Sequence, residues 1–253
     1  MAILDHISHS QLNMWQRCPK QWEYRYVKGL KVPPSGALIL GGVYHEALEG
    51  NFRQKVTSRE DLPVDSCLDL FSECWDTRIS NEEQVLWEGR EPYEYKDQGI
   101  GLVKEYRVTV SPTIQPTKVE EVHISEVSGV RFVCVVDLED EAKLVIDHKT
   151  SARAYNQDDV DKDLQASAEA FVLGRAIVFQ NHVAIKGRVP RIQVISSYRL
   201  DTDIKWWYEM ATGIVLQMKS GIAPPNSSGW HCSPRFCGFW DICRPGLARS
   251  MFT

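Results

Sequence analysis

Two apolar runs each end in an acid. Val133 to Val136 leads to Asp137, and Leu144 to Ile146 leads to Asp147, which is followed by His148, Lys149 and Thr150. Successive side chains of a strand leave opposite faces, so Asp147 and Lys149 share a face and His148 points away. Asp137 lies at or near the end of the preceding strand and can reach the same end of the sheet. Two carboxylates beside a lysine make a hard-oxygen site suited to magnesium or manganese. The ammonium can position a water nucleophile or offset charge developing on a phosphate, while the cation polarises the phosphodiester. His45 follows Gly41 and Gly42, whose small size allows close backbone approach, and a neutral imidazole could complete the shell. Gln165 opens the next helix, where its amide could orient a water or a phosphate. Taken singly, each residue has a plainer account: a solvated hairpin charge, a structural histidine, an exposed glutamine. The apolar run before each acid weighs against the plainer account, because it puts charge where buried strands end.

A second group is sulfur-based. Cys18 lies in an aromatic, basic N-terminal segment, and Cys232, Cys237 and Cys243 lie together near the other end. Four thiolates suit a zinc ion or a [4Fe–4S] cluster. Zinc sites favour two close pairs, and this one-plus-three split fits a cubane better. The other three cysteines, Cys67, Cys74 and Cys134, sit among apolar residues and read as core.

The elements that must position these groups follow from periodicity. Ser8 or Ser10 caps a helix through about Val27, with Leu12, Trp15, Trp22 and Tyr26 on one stripe. Pro33 and Pro34 break the chain, and a second helix runs from about Gly42 to Val56. Residues 62–110 are largely helical, with charged interruptions over 82–98. From about 117 the period becomes two, predicting strands 118–127, 130–140 and 143–149 joined by turns at Ser128-Gly129 and Asp140-Glu141. A long helix over 158–180, a strand over 191–199 and a helix over 202–219 complete the pattern. The expectation is an α/β fold with a mixed central sheet flanked by helices.

The chain has 253 residues, 43% hydrophobic and 25% charged, which excludes a disordered chain and a coiled-coil rod. No apolar run reaches the ~18 residues of a membrane span and no signal layout opens the chain, so a soluble cytoplasmic protein without a membrane partner is expected. Net charge is −5, so a polyanion would have to meet a local basic patch. Arg17, Lys20 and Arg25 among the N-terminal aromatics, with Arg235 and Trp240 in the tail, are the candidate DNA contacts, a mixture suited to single strands or frayed ends.

The order Gly-x-x-x-His, Asp, Asp-x-Lys, then Gln resembles the RecB-like branch of the PD-(D/E)XK nucleases. The cysteine split is similar to that of the cluster-bearing members of that branch: AddB nuclease domains, CRISPR-associated adaptation nucleases and phage exonucleases. The resemblance runs from Ser8 to Cys243. It implies a restriction-endonuclease-like core in which His45, Asp137 and Asp147 bind Mg2+ or Mn2+, Lys149 is the catalytic lysine and Gln165 the glutamine of the helix motif. It implies a single nuclease domain over 1–253: an N-terminal helix in 1–32, a helical insertion with His45 in 41–115, the core in 116–220 and a cluster-binding tail in 221–253. Cys18, Cys232, Cys237 and Cys243 would hold a structural [4Fe–4S] cluster clasping the termini. The implied activity is a DNA exonuclease at single-stranded or duplex ends, in a recombination, repair, phage or CRISPR setting and with a helicase as a plausible partner. The alternative is a non-catalytic DNA-end or partner-binding subunit. One departure is Glu169, where family members commonly carry a tyrosine four residues after the glutamine. Oligomeric state is not legible in the sequence.

Overall fold

The computed structural model describes residues 5–245. In chain order the elements are β1 His6–Ser8, α1 His9–Arg17, α2 Pro19–Trp22, a π-turn Glu23–Val27, α3 Gly36–Ser58, α4 Val64–Ser80, α5 Pro92–Thr109, a 3-10 turn Ser111–Thr113, β2 Pro116–Val127, β3 Val130–Asp140, β4 Val145–Ser151, α6 Gln157–Asp161, α7 Leu164–Leu173, β5 Ile177–Ile185, β6 Arg191–Arg199, α8 Asp201–Ser220 and α9 Trp240–Cys243. The chain divides into two compact units. A terminal unit comprises Met1–Val32, Ile124–Val133 and Trp206–Thr253, and a central unit comprises Pro33–His123 and Cys134–Lys205.

In the central unit β4 pairs antiparallel with β3 and parallel with β5, and β5 pairs antiparallel with β6, so the sheet is mixed. A parallel β4–β5 pair needs a crossover, and α6 and α7 supply it. Helices cover both faces. Leu40, Val43, Tyr44 and Phe52 of α3, Phe71 of α4 and Leu102 and Tyr106 of α5 pack with Leu138, Ile146 and Ala184. On the other face Ala166 and Ala170 of α7 pack with Val136, Val145 and Phe179. Val136 and Leu138 thus belong to different layers although they are two residues apart.

The strands of the hairpin lie where period two puts them, and Ser128 and Gly129 both take positive φ, 50° and 73°, as a two-residue turn requires. Two helical expectations change. The helix expected over 158–180 is two short helices followed by β5. Gly174 takes the left-handed conformation at φ 64° and closes α7, and the β-branched and aromatic run after it pairs between β4 and β6. The second helix begins at Gly36 because the Ser35 side chain accepts the Leu38 N–H at 3.2 Å.

In the terminal unit β1 pairs parallel with the first residues of β3, from His6↔Arg131 to Ser8↔Val133. The Ser8 hydroxyl caps α1 as expected, but the helix does not run unbroken to Val27. It breaks at Cys18-Pro19, where proline cannot continue the ladder, and resumes as α2 and the π-turn. Trp15 and Trp22 stack edge to face at 5.0 Å, Tyr24 meets Phe239 at 5.5 Å, and Trp207 meets Phe132 at 5.1 Å. Past α8 the described tail has only α9 as regular structure.

Candidate active site

The alternation of β4 sorts its side chains as the sequence predicts. Asp147 and Lys149 meet α7, while His148 enters the opposite layer, where its Nε2 lies 2.9 Å from the Tyr106 hydroxyl. That hydroxyl also lies 2.8 Å from His182 Nδ1. Asp147 is buried, at 1% exposure. Its carboxylate accepts from Lys149 Nζ at 2.9 Å, Gln165 Nε2 at 2.5 Å and Asn181 Nδ2 at 3.3 Å. Asn181 is its register partner on β5, which explains that contact. Lys149 Nζ donates to Gln165 Oε1 at 2.7 Å as well, so the ammonium is held between two acceptors. Gln165 stands in the first turn of α7, whose Asp163 cap accepts the Gln165 N–H at 2.9 Å. Burial pushes the Asp147 carboxyl up to about 6 against the opposing pull of Lys149. Burial works against the Lys149 ammonium, but Asp147 outweighs it and raises its pKa.

Glu169, the departure from the family pattern, is fully buried one turn along α7 and accepts the Gln165 amide at 3.0 Å. Burial, with Asp147 and Asp137 nearby, raises its pKa well above the ordinary value, which favours the neutral acid. Among the described residues Glu169 Oε2 and Asn181 Oδ1 are buried without a hydrogen-bond partner, and both belong to side chains attached to the Asp147 network. Buried orphan acceptors cost roughly 1–3 kcal/mol each and mark a polar site.

His45 and Asp137 form a second group with a residue the sequence reading passed over. Gly41, one turn before His45 on α3, lies where an added Cβ would stand 3.3 Å from Thr150 Oγ1 on β4, so its bare backbone allows the helix to sit close. His45 Nδ1 is 3.3 Å from Asp137 Oδ2, which also accepts the His148 backbone N–H at 3.0 Å. Burial opposes ionisation of Asp137, yet the hydrogen bonds from His148 and His45 prevail and hold its carboxyl far below the usual range. Burial alone would lower His45, but Asp137 outweighs it and raises the imidazole. Glu120 of β2 completes this group. One ligand atom from each of His45, Glu120 and Asp137 lies within 4.8 Å of the others, the single such group of three among the described residues. Burial, reinforced by Asp137, pushes Glu120 up to about 7. Two ionised carboxylates this close repel by on the order of 3 kcal/mol at a near-surface dielectric. An oxygen–oxygen–imidazole set of that span fits one divalent ion with bonds near 2.1 Å. Two features could have flagged Glu120 in the sequence. It is acidic, and counting back from the two-residue turn at Ser128-Gly129 sets it across from Asp137.

The four candidate cysteines also come together. Cys18, Cys232, Cys237 and Cys243 line one cavity in the terminal unit with Lys20, Tyr24 and Trp240. All four are free thiols, and two receive donors: the Asn226 N–H points to Cys18 Sγ at 3.4 Å and Gln21 Nε2 to Cys237 Sγ at 3.2 Å. Tetrahedral zinc with bonds of about 2.3 Å would draw its sulfurs to roughly 3.8 Å apart. Among the described residues no three of these sulfurs gather within 4.8 Å.

The expected DNA contacts divide. Arg17, Arg25 and Arg235 are exposed, and Lys20 is partly buried in a pair with Glu23. Arg235 lies over the Phe236 ring at 5.2 Å, and Trp240 carries Arg244 at 5.1 Å. Trp15, Trp22 and Tyr24, which interleave with the basic residues in sequence, are buried core. Trp230, 74% exposed and edge to face with Phe236 at 5.0 Å, is an exposed aromatic outside the expected contact set. Among the described residues no helix is long and apolar enough to cross a membrane.

No curated protein matches significantly. Among solved structures, a protein of Eubacterium rectale assigned by name as an exonuclease shares the fold at a TM-score of 0.54, with 14% identity over 90% of this chain and 87% of its own. The protein SSO0001, at a TM-score of 0.38 and 12% identity over 94% and 96% of the two chains, and Rai1 of Scheffersomyces stipitis, at 0.27 and 12% over 84% and 67%, are too distant to bear on the fold. The model of the PD-(D/E)XK nuclease superfamily matches residues 6–244, nearly the whole described chain and both groups of acids, so this chain belongs to the PD-(D/E)XK nuclease superfamily.

Proposed function

We propose that this protein is a divalent-cation-dependent deoxyribonuclease that works as an exonuclease at DNA ends and carries a structural [4Fe–4S] cluster. The observation that carries the reading is the Lys149 ammonium, held 2.9 Å from Asp147 and 2.7 Å from Gln165 beside a carboxylate–imidazole group. A buried lysine kept charged and fixed by two acceptors is a donor preorganised for charge that develops during reaction. Once bound, a divalent cation would supply Lewis-acid polarisation of the phosphodiester and counter-charge for the carboxylates. His45, Asp137 and Asp147 are the residues proposed to hold it. Lys149 positions the attacking water and balances the phosphorane-like charge, and Gln165 fixes the ammonium and Asp147 relative to each other. Cleavage on this chemistry leaves a 5′-phosphate and a 3′-hydroxyl.

The convergence of four thiols on one cavity and the N–H donors to two of them support the cluster. The preference for ends rests on family resemblance. DNA contact is proposed for Arg17, Lys20, Arg25, Arg235 and Trp240, and it gains support from charge. The terminal unit carries ten Lys and Arg against five Asp and Glu, in a chain whose total is −5.

The test compares wild type with Lys149→Ala on labelled single- and double-stranded DNA, with Mn2+ and with EDTA. The expected result is Mn2+-dependent cleavage, abolished by EDTA and reduced about 10²–10³-fold in the variant. Equal cleavage by both proteins, or cleavage that survives EDTA, would refute the assignment. DNA binding without cleavage by wild type would favour a binding subunit instead.

A further inference from the structure

Glu120 is out of place as a strand residue. It takes φ 50°, a left-handed conformation that costs a non-glycine side chain, within β2. Its neighbour Glu121 is ordinary, paired with Lys118 at 2.7 Å and His123 at 2.9 Å. Among the described residues no hydrogen bond or ion pair reaches the Glu120 carboxylate, although it is half-buried. Instead it lies within 4.8 Å of Asp137 and His45. A second carboxylate brought beside Asp137 with no direct ion pair to hold it, and with only the more distant charge of Arg53 and the His45 imidazole to offset it, is a repulsive arrangement, and a local kink accompanies it. Repulsion of that kind persists in a fold where a cation offsets it.

Asp147, the residue most expected to share an ion with Asp137, has its oxygens taken by Lys149, Gln165 and Asn181 and stands outside the group of three. Asp137 and His45 therefore need another oxygen donor nearby, and Glu120 is the acid present. We infer that Glu120 is a ligand of the divalent cation, delivered to Asp137 and His45 by the left-handed kink of β2. The inference rests on the nuclease reading for the presence of a cation at this site. It adds a ligand that the Asp, Asp-x-Lys signature does not contain. It also divides labour: His45, Glu120 and Asp137 would hold the ion, and Asp147 would serve it from the Lys149–Gln165 network.

The test is Mn2+ binding to the full chain, measured by calorimetry and by the loss of the free Mn2+ electron paramagnetic resonance signal, in wild type, Glu120→Gln and Glu121→Gln. Glutamine keeps the shape and removes the charge. The expected result is a Kd for Mn2+ raised at least tenfold in Glu120→Gln and unchanged in Glu121→Gln. The rise in Tm that Mn2+ gives wild type should shrink in Glu120→Gln, which serves as a second readout where calorimetric heats are small. A Kd within twofold of wild type in Glu120→Gln, or an equal loss in Glu121→Gln, would overturn the inference. Cleavage is scored separately. Wild type that cleaves DNA while Glu120→Gln binds Mn2+ normally defeats this ligand and leaves the nuclease. Wild type that binds Mn2+ through Glu120 and cleaves nothing defeats the nuclease and leaves the ligand.

Discussion

The two compact units are held together by different means and carry opposite charge. The central unit is a layered core: a mixed sheet with helices on both faces, with buried polar networks around Asp147, Tyr106 and Asp61. It carries nineteen Lys and Arg against twenty-nine Asp and Glu. The terminal unit has ten against five, little regular structure past α8, and a cavity where four thiols meet. Such a division is what a nuclease of this charge needs. Carboxylates that hold a cation repel a polyanion, so the attraction that captures DNA has to come from elsewhere on the chain. It also means that perturbations of the two units should be separable.

The largest separation should come from the thiols. If a cluster ties Cys18 to the tail, it closes a loop of roughly 200 residues, worth about 5 kcal/mol by analogy with disulfide loop entropy. Cys232→Ser should therefore lose iron and sulfide on analysis of anaerobically purified protein and unfold at much lower denaturant. If the terminal unit depends on the cluster and the central core does not, the variant should unfold in two steps. A loss below about 1 kcal/mol, with no iron in wild type, would make the four thiols merely buried residues. Zinc without sulfide would replace the cubane with a single ion.

A smaller effect should be confined to the central unit and to protein stripped of metal. Glu120, pushed up to about 7 from an ordinary 4.5, keeps its proton in the folded state after the unfolded chain has released it. The folded state thus binds more protons between those values, and the stability this group contributes is complete below about 4.5 and lost as pH rises through 7. With partial solvent screening the loss should be on the order of 2 kcal/mol. Glu120→Gln cannot titrate, so the difference between its urea stability and that of wild type should grow in the variant's favour from pH 4.5 to 8 in EDTA. Parallel pH curves for the two proteins would show that burial does not perturb this carboxylate.

How much of this division was legible in the sequence depends on how local the cause is. The hairpin was readable because period two, a Ser-Gly turn and acids after apolar runs are all short-range signals. The same alternation separated Asp147 and Lys149 from His148. β5 was not readable, since the stretch from Leu164 to Gln180 is apolar enough for a buried helix or a buried strand, and only pairing with β4 and β6 decides between them. Glu120 was only partly legible, for a related reason: counting back from the Ser128-Gly129 turn sets it across from Asp137, but residue type does not single it out. Its neighbour Glu121 is equally acidic, and the positive φ that directs Glu120 to Asp137 belongs to the paired hairpin, beyond the reach of residue type alone. The basic, aromatic N-terminal helix misled in the opposite sense, because Trp15, Trp22 and Tyr24 serve the core of the terminal unit.

The finest test of the charge division is the salt dependence of DNA binding in EDTA, where nothing is cut. Arg235 is exposed in the basic unit, and its guanidinium lies over Phe236 near the exposed Trp230. Arg153 is exposed in the acidic unit and already paired with Asp159 at 2.8 Å. Each phosphate contact contributes close to one unit to the slope of log K against log salt. Arg235→Ala should reduce that slope by about 1 and weaken binding evenly across sequences, and Arg153→Ala should leave it unchanged. Equal slopes in all three proteins would place the polyanion away from Arg235. A slope that falls for Arg153→Ala alone would reverse the comparison, giving DNA capture to the unit whose net charge opposes it.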